Sequence, residues 1–166
     1  KKYEPAEAVR RAAAAPRGPV VIADGADATN GGSPGDSTCL LSEFLRQKIT
    51  GTALLTMVDP DAVALAKQAS IGKTIAVSLG AKRSRKYHQP VEVTARVARF
   101  SDGQFSLSGH LAMKVNMGQC ALLEIGLPAA APQAGPIKVL VSEFAGPGHD
   151  PQVFRQSMVD CYRRLV

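Results

Sequence analysis

Short apolar runs, each closed by glycine or proline, punctuate this chain and predict alternating helices and strands. An alanine-rich segment from about Glu4 to Ala15 predicts a helix that Pro16 and Gly18 end. Pro19-Val20-Val21-Ile22-Ala23-Asp24 is β-branched, apolar and bounded by turn residues, which predicts a buried strand. A long loop rich in Gly, Asp, Asn and Ser runs from Gly25 to Thr38. Leu40, Leu41, Phe44, Leu45 and Ile49 then fall at helical spacing, with Asp36 or Ser37 as N-cap and Gly51 as stop. Ala53–Met57 predicts a second buried strand. Asp59-Pro60 opens a helix buried through Val63, Ala66 and Ala69, which Gly72 ends. Thr74–Leu79 predicts a third strand with Ile75, Val77 and Leu79 on one face.

The pattern then changes to strict alternation. Val91, Val93, Ala95 and Val97 interleave with Glu92, Thr94 and Arg96, as in a half-exposed antiparallel strand. Asp102-Gly103 between Phe100 and Phe105 predicts a hairpin, because a tight hairpin turn needs positive φ. Cys120–Ile125 and Ile137–Val141 predict two more strands, joined by the Ala-, Pro- and Gly-rich linker Gly126–Pro136. Asp150-Pro151 starts a last helix with Val153, Phe154 and Met158 inward. Together these elements predict an α/β fold: a mixed sheet with a parallel βαβαβ core, antiparallel strands after it, and helices packed on the sheet.

Composition narrows this picture. With 166 residues, 45% hydrophobic and 20% charged, the chain suits a single domain over residues 1–166. Trp is absent and aromatics make up 5%, so Val, Leu, Ile and Ala must build the core. No uncharged apolar stretch reaches the ~18 residues of a membrane span, and no signal-peptide core is visible. Cys39, Cys120 and Cys161 are widely spaced without a CxxC, which predicts inert thiols in a reducing compartment. The first residue is Lys, so a processed product or an excised piece of a longer protein is expected. A net charge of +6 permits an acidic partner without requiring one.

The Asp24–Thr38 loop is the candidate site, since loops after strands hold ligands in α/β sheets. It is neither a dinucleotide fingerprint nor a P-loop, because no Lys follows its glycines. Asp24, Asp27 and Asp36 would repel phosphate and suit a cation, an amine, a sugar or a peptide. The plainer alternative is a structural turn, with Asp36 as helix cap and Asp24 or Asp27 bonding loop amides. Gly31-Gly32-Ser33-Pro34-Gly35 has the spacing of a serine nucleophile turn, but Pro34 lacks the N–H an oxyanion hole needs. His88, His110 and His149 have no metal-ligand spacing; His149 reads as a capping or surface residue. Lys82, Arg83, Arg85 and Lys86, beside Tyr87 and His88, read either as a solvated loop or as a polyanion patch.

The segment Val20–Asp27, with Asn30-Gly31-Gly32-Ser33-Pro34-Gly35-Asp36-Ser37-Thr38 after it, resembles the C-terminal domain of the MlrC (microcystinase C) family of zinc metallopeptidase-like proteins. Asp59-Pro60-Asp61-Ala62-Val63, Ile71-Gly72-Lys73 and Val77–Lys82 continue the likeness. His88-Gln89-Pro90-Val91, Asp102-Gly103-Gln104-Phe105 and Met117–Leu122 carry it further along the chain. Gly31-Gly32-Ser33 stands where the family has three glycines, Gly80-Ala81-Lys82 where it has Gly-Gly-Lys, and the Arg83–Lys86 run has no family counterpart. The family's final strand with a Lys-Ser pair is not found.

The resemblance implies a bacterial, cytoplasmic, two-domain parent, degrading microcystin-like peptides or other amides. The zinc would lie in its N-terminal domain, this chain's partner, with no cofactor held here. Asp24, Asp27, Asn30, Gly31, Gly32 and Asp36 would then bind substrate, the two glycines through their amides. The alternatives are a purely structural module, or a nucleic-acid-binding module using Lys82–Lys86; nucleic acid is the less expected partner.

Overall fold

The computed structural model describes residues 2–49, 51–83, 85–108, 112–126 and 137–155. Its main feature is a five-stranded mixed sheet of β1 (Ala53–Val58), β2 (Thr74–Leu79), β3 (Val91–Ser101), β6 (Cys120–Ile125) and β7 (Ile137–Ser142). A separate two-stranded ribbon joins β4 (Gln104–Ser106) to β5 (Lys114–Asn116). The helices are α1 (Pro5–Ala13), α2 (Cys39–Gln47), α3 (Pro60–Ala69) and the short α4 (Gln152–Arg155). None is long and apolar enough to cross a membrane, among the described residues.

Local chemistry explains several elements. Pro5 occupies the first turn of α1, where a missing N–H is harmless. Asp59 caps α3: its side chain accepts from the Ala62 amide at 3.0 Å. β6 and β7 are nearly continuous apolar runs because both faces of the sheet are covered there. On one face, Leu123, Val139 and Val141 join Val9, Leu41, Phe44, Val63 and Ala66 in the main core. On the other, Leu122 and Leu140 join Met117, Cys120 and Val153, with Phe105 and Val115 of the ribbon packed against them. Burying each such aliphatic side chain contributes roughly 1.5–3 kcal/mol.

The mixed α/β class with packed helices is as expected, but its parallel part is smaller. The strand order is β1-β7-β6-β3-β2, and β1–β7 is the parallel pair; the other pairs are antiparallel. A βαβαβ core would place β1 and β2 on neighbouring ladders, whereas here they occupy opposite edges. Hydrophobic periodicity reports which face of a strand is buried, not which strand lies beside it.

Two further expectations are corrected. Residues 19–24 form no strand, and Val20 and Val21 are exposed. β-branched composition marks a segment that fits a pleated surface, but a strand exists only once a ladder partner is present. Gly103 has the expected positive φ of 66°, yet the turn does not close a β3–β4 hairpin. β3 pairs with β6, and the chain passes through Asp102-Gly103 into the separate ribbon. The linker residues 127–136, Met158, His110 and Cys161 lie outside the described residues.

Candidate functional site

The two edge strands of the sheet meet at their C-terminal ends. The buried Asp59 carboxylate, beyond capping α3, accepts from the Gly80 amide at 2.9 Å. Between the two strand ends runs the glycine-rich loop. Gly35 O accepts from Val58 N and Asp36 O accepts from Ala81 N, both at 2.8 Å. A Cβ on Gly80 would come within 2.6 Å of the Thr38 methyl and 2.7 Å of Asp36 O, so this approach requires glycine.

The loop is shaped by its own carboxylates. Asp24 Oδ1 accepts from the amides of Ala26 and Asp27. Asp27 spans the loop, accepting from Gly35 N at 2.8 Å and Ser37 N at 2.6 Å. Asp36 is 1% exposed; its Oδ2 accepts from Arg83 N at 2.9 Å, and its Oδ1 faces His88 Nε2 at 3.8 Å. Neither Asp36 Oδ1 nor His88 Nε2 has a hydrogen-bond partner among the described residues. Asp36 is therefore not the cap of α2. Thr38 holds the cap position without a side-chain bond, and Ser37 Oγ accepts from Cys39 N at 3.3 Å. Buried Thr38 instead donates its hydroxyl to Gln89 O at 2.8 Å.

Asn30, Gly31 and Gly32 occupy the exposed tip, a single 3₁₀ turn over Thr29–Gly31. Here the amides of Gly31 and Gly32 donate to Ala28 O and Thr29 O within the turn. What the glycines present outward is backbone without side chain: a Cβ on either would meet nothing within 4 Å. The tip is braced by the segment after β7. Thr29 Oγ1 donates to Gly146 O at 2.7 Å, and Asn30 Nδ2 lies 3.1 Å from His149 Nδ1. The Asn30 Nδ2 group can only donate, so Nδ1 accepts and a neutral ring carries its proton on Nε2, facing away from Asn30. Sequence reasoning missed His149 as a neighbour of the site; no local signal marks a pair 119 positions apart.

Next to His149, Asp150 accepts from Gln152 N, Ser108 N and Ser108 Oγ, each at 2.9 Å. Burial pushes its carboxyl up, but these hydrogen bonds outweigh it and hold the group below its ordinary value.

The basic run is partly committed to the fold. Lys82 Nζ lies 3.8 Å from Asp59 and 4.0 Å from Asp61, the Arg83 amide is bound by Asp36, and Lys86 sits over the Tyr87 ring. A shallow cleft of about 390 Å³ lies elsewhere, between α1 and α2; its Arg10 and Arg46 pair with Glu7 and Glu43. Among the described residues, no three His, Cys, Asp or Glu side chains converge as a metal ligand set. At the loop, Asp24 and Asp27 are committed to backbone amides, while Asp36 Oδ1 and His88 Nε2 face each other without a hydrogen-bond partner among the described residues.

No curated protein matches the chain. Among solved structures, the fold is similar to that of a protein from Mesorhizobium sp. BNC1 provisionally named a metallopeptidase, with a TM-score of 0.66 and 23% identity. The likeness covers 79% of this chain and 25% of that one, so this chain spans about a quarter of its length. The profile of the family described as MlrC C-terminus matches residues 22–164, and the chain belongs to that family.

Proposed function

We propose that this chain is the C-terminal domain of a longer zinc-dependent peptide or amide hydrolase, and that its glycine-rich loop forms one wall of the substrate site. The observation that carries the proposal is the braced, outward-facing tip. Asn30, Gly31 and Gly32 are exposed, open above, and tied through Thr29 and Asn30 to Gly146 and His149. A peptide backbone approaches such a surface closely because no side chain stands on the glycines. Asn30 supplies an amide that can recognise a peptide group. Asp24, Asp27 and Asp36 serve the same site one step back, holding the tip in shape. Rigid support of this kind is what keeps a binding group within reach of its target.

In this reading the zinc belongs to the preceding domain, and bond cleavage lies outside this chain. A cytoplasmic setting is part of the same proposal.

Elemental analysis after dialysis tests the metal assignment, with about one zinc per chain expected in the full parent. Asn30→Ala in that parent is expected to raise KM for a peptide substrate roughly tenfold with kcat nearly unchanged, as for lost uniform binding. A parent that purifies without metal and gains no activity from zinc overturns the proposal.

A further inference from the structure

Residues 18–23, Gly-Pro-Val-Val-Ile-Ala, carry no charge, and three of them are β-branched. Such composition fits a strand on a half-buried surface. In the fold the segment belongs to no helix or strand. Ile22 packs against the main core, whereas Val21 is 87% exposed and Val20 47%. No backbone–backbone hydrogen bond joins residues 19–24 to another described residue. The segment thus combines apolar side chains facing solvent with backbone groups open to a ladder, as in an unpaired sheet edge.

The segment is anchored at one end. Asp24 and Asp27, immediately after it, bond the amides that shape the loop. A strand laid along residues 20–23 would therefore lie directly beside the candidate site. Pro19 lacks an N–H, so pairing would begin at Val20.

The chain beyond this fold supplies the occupant. This chain matches 25% of the Mesorhizobium chain, so most of that chain lies outside the shared fold, and the family is described as a C-terminus. We infer that residues 20–23 are the docking strand for the preceding domain of the parent chain. A strand of that domain pairs with their backbone and covers Val20 and Val21, in the manner of strand addition. The inference rests on the proposed reading of this chain as a C-terminal domain. An uncharged apolar patch suits an apolar strand and not a polyanion.

Hydrogen–deuterium exchange on the full parent and on this chain alone tests it. The amides of Val20–Ala23 are expected to exchange at least roughly tenfold more slowly in the parent, and freely in this chain. Val21→Asp is expected to restore fast exchange in the parent while leaving the Tm of this chain unchanged. Equal exchange in parent and chain overturns the inference. So does protection in this chain alone that grows with its concentration, which would make a second copy the occupant. Protected amides in a parent without zinc would sink the hydrolase proposal and leave the docking strand standing. Zinc with free exchange would do the reverse.

Discussion

Asp36 and His88 face each other across 3.8 Å, carboxylate Oδ1 to imidazole Nε2, and neither atom has a hydrogen-bond partner among the described residues. The other oxygen of Asp36 holds the Arg83 amide, so one buried carboxylate joins the glycine-rich loop to the segment after β2. Asp36→Ala is expected to destabilise the chain by about 1–3 kcal/mol, since the Arg83 amide loses its charged acceptor. Asp36→Asn keeps an acceptor oxygen and is expected to lose less. Denaturant unfolding of both variants checks the order; equal losses would show that the bond to Arg83 is not what holds the segment.

Asp27 is the brace of the loop itself, with one oxygen on Gly35 N and the other on Ser37 N. Asp27→Ala is expected to lower stability by about 1–3 kcal/mol. In the full parent it is expected to raise KM for a peptide substrate as Asn30→Ala does, because the tip loses its support. A variant that unfolds more easily yet keeps its KM would separate the loop's shape from substrate binding.

Two glycines with positive φ give contrasting expectations. Gly80 has φ 67°, and an added Cβ would meet Thr38, Asp36 O and Met57 Sδ at 2.6–3.0 Å. Gly32 has φ 88° with open space around it. Gly80→Ala combines backbone strain with overpacking and is expected to cost about 2–5 kcal/mol. Gly32→Ala carries the backbone strain alone, about 1–2 kcal/mol. Thermal unfolding of the pair measures the difference; similar Tm values would mean that the contacts at Gly80 relax freely.

Acid should weaken the fold through two carboxylates. Glu124 sits across the ladders from Arg96 and Lys138 and pairs with both side chains. Burial raises its pKa, but Lys138 and Arg96 outweigh burial and hold it below the ordinary value; Asp150 is also held low. A depressed folded value means the stabilisation is fully present above the unfolded value, about 4, and is lost as pH falls through the folded one. The Tm is therefore expected to lose this contribution below about pH 4. A Glu124→Gln/Asp150→Asn double variant should show a flatter acid limb. An unchanged acid limb would assign acid sensitivity to other groups.

Much of the architecture was legible from local pattern. The 3.6-residue spacing of Leu41 and Phe44 marks the buried side of α2, and alternation in Thr74–Leu79 marks the buried face of β2. Asp59-Pro60 announces the start of α3 because cap and first turn are neighbours in sequence. The candidate loop was legible as an unusual segment too, and its Asp24 and Asp27 do bond loop amides. Residues 19–24 form no strand for a definite reason: composition states what a strand needs, not whether a partner is there to supply it.

Local pattern marks which residues turn inward and where most helices and strands begin and end. These depend on interactions spanning a few residues, where spacing and caps act directly. Long-range packing alone makes β1 and β2 opposite edges meeting at Asp59 and Gly80, brings Asp36 to Arg83, and brings Asn30 to His149. Each of those contacts joins residues 21 to 119 positions apart. Their formation depends on the whole sheet closing its ladders and burying both faces at once, a collective balance that no local run of side chains encodes.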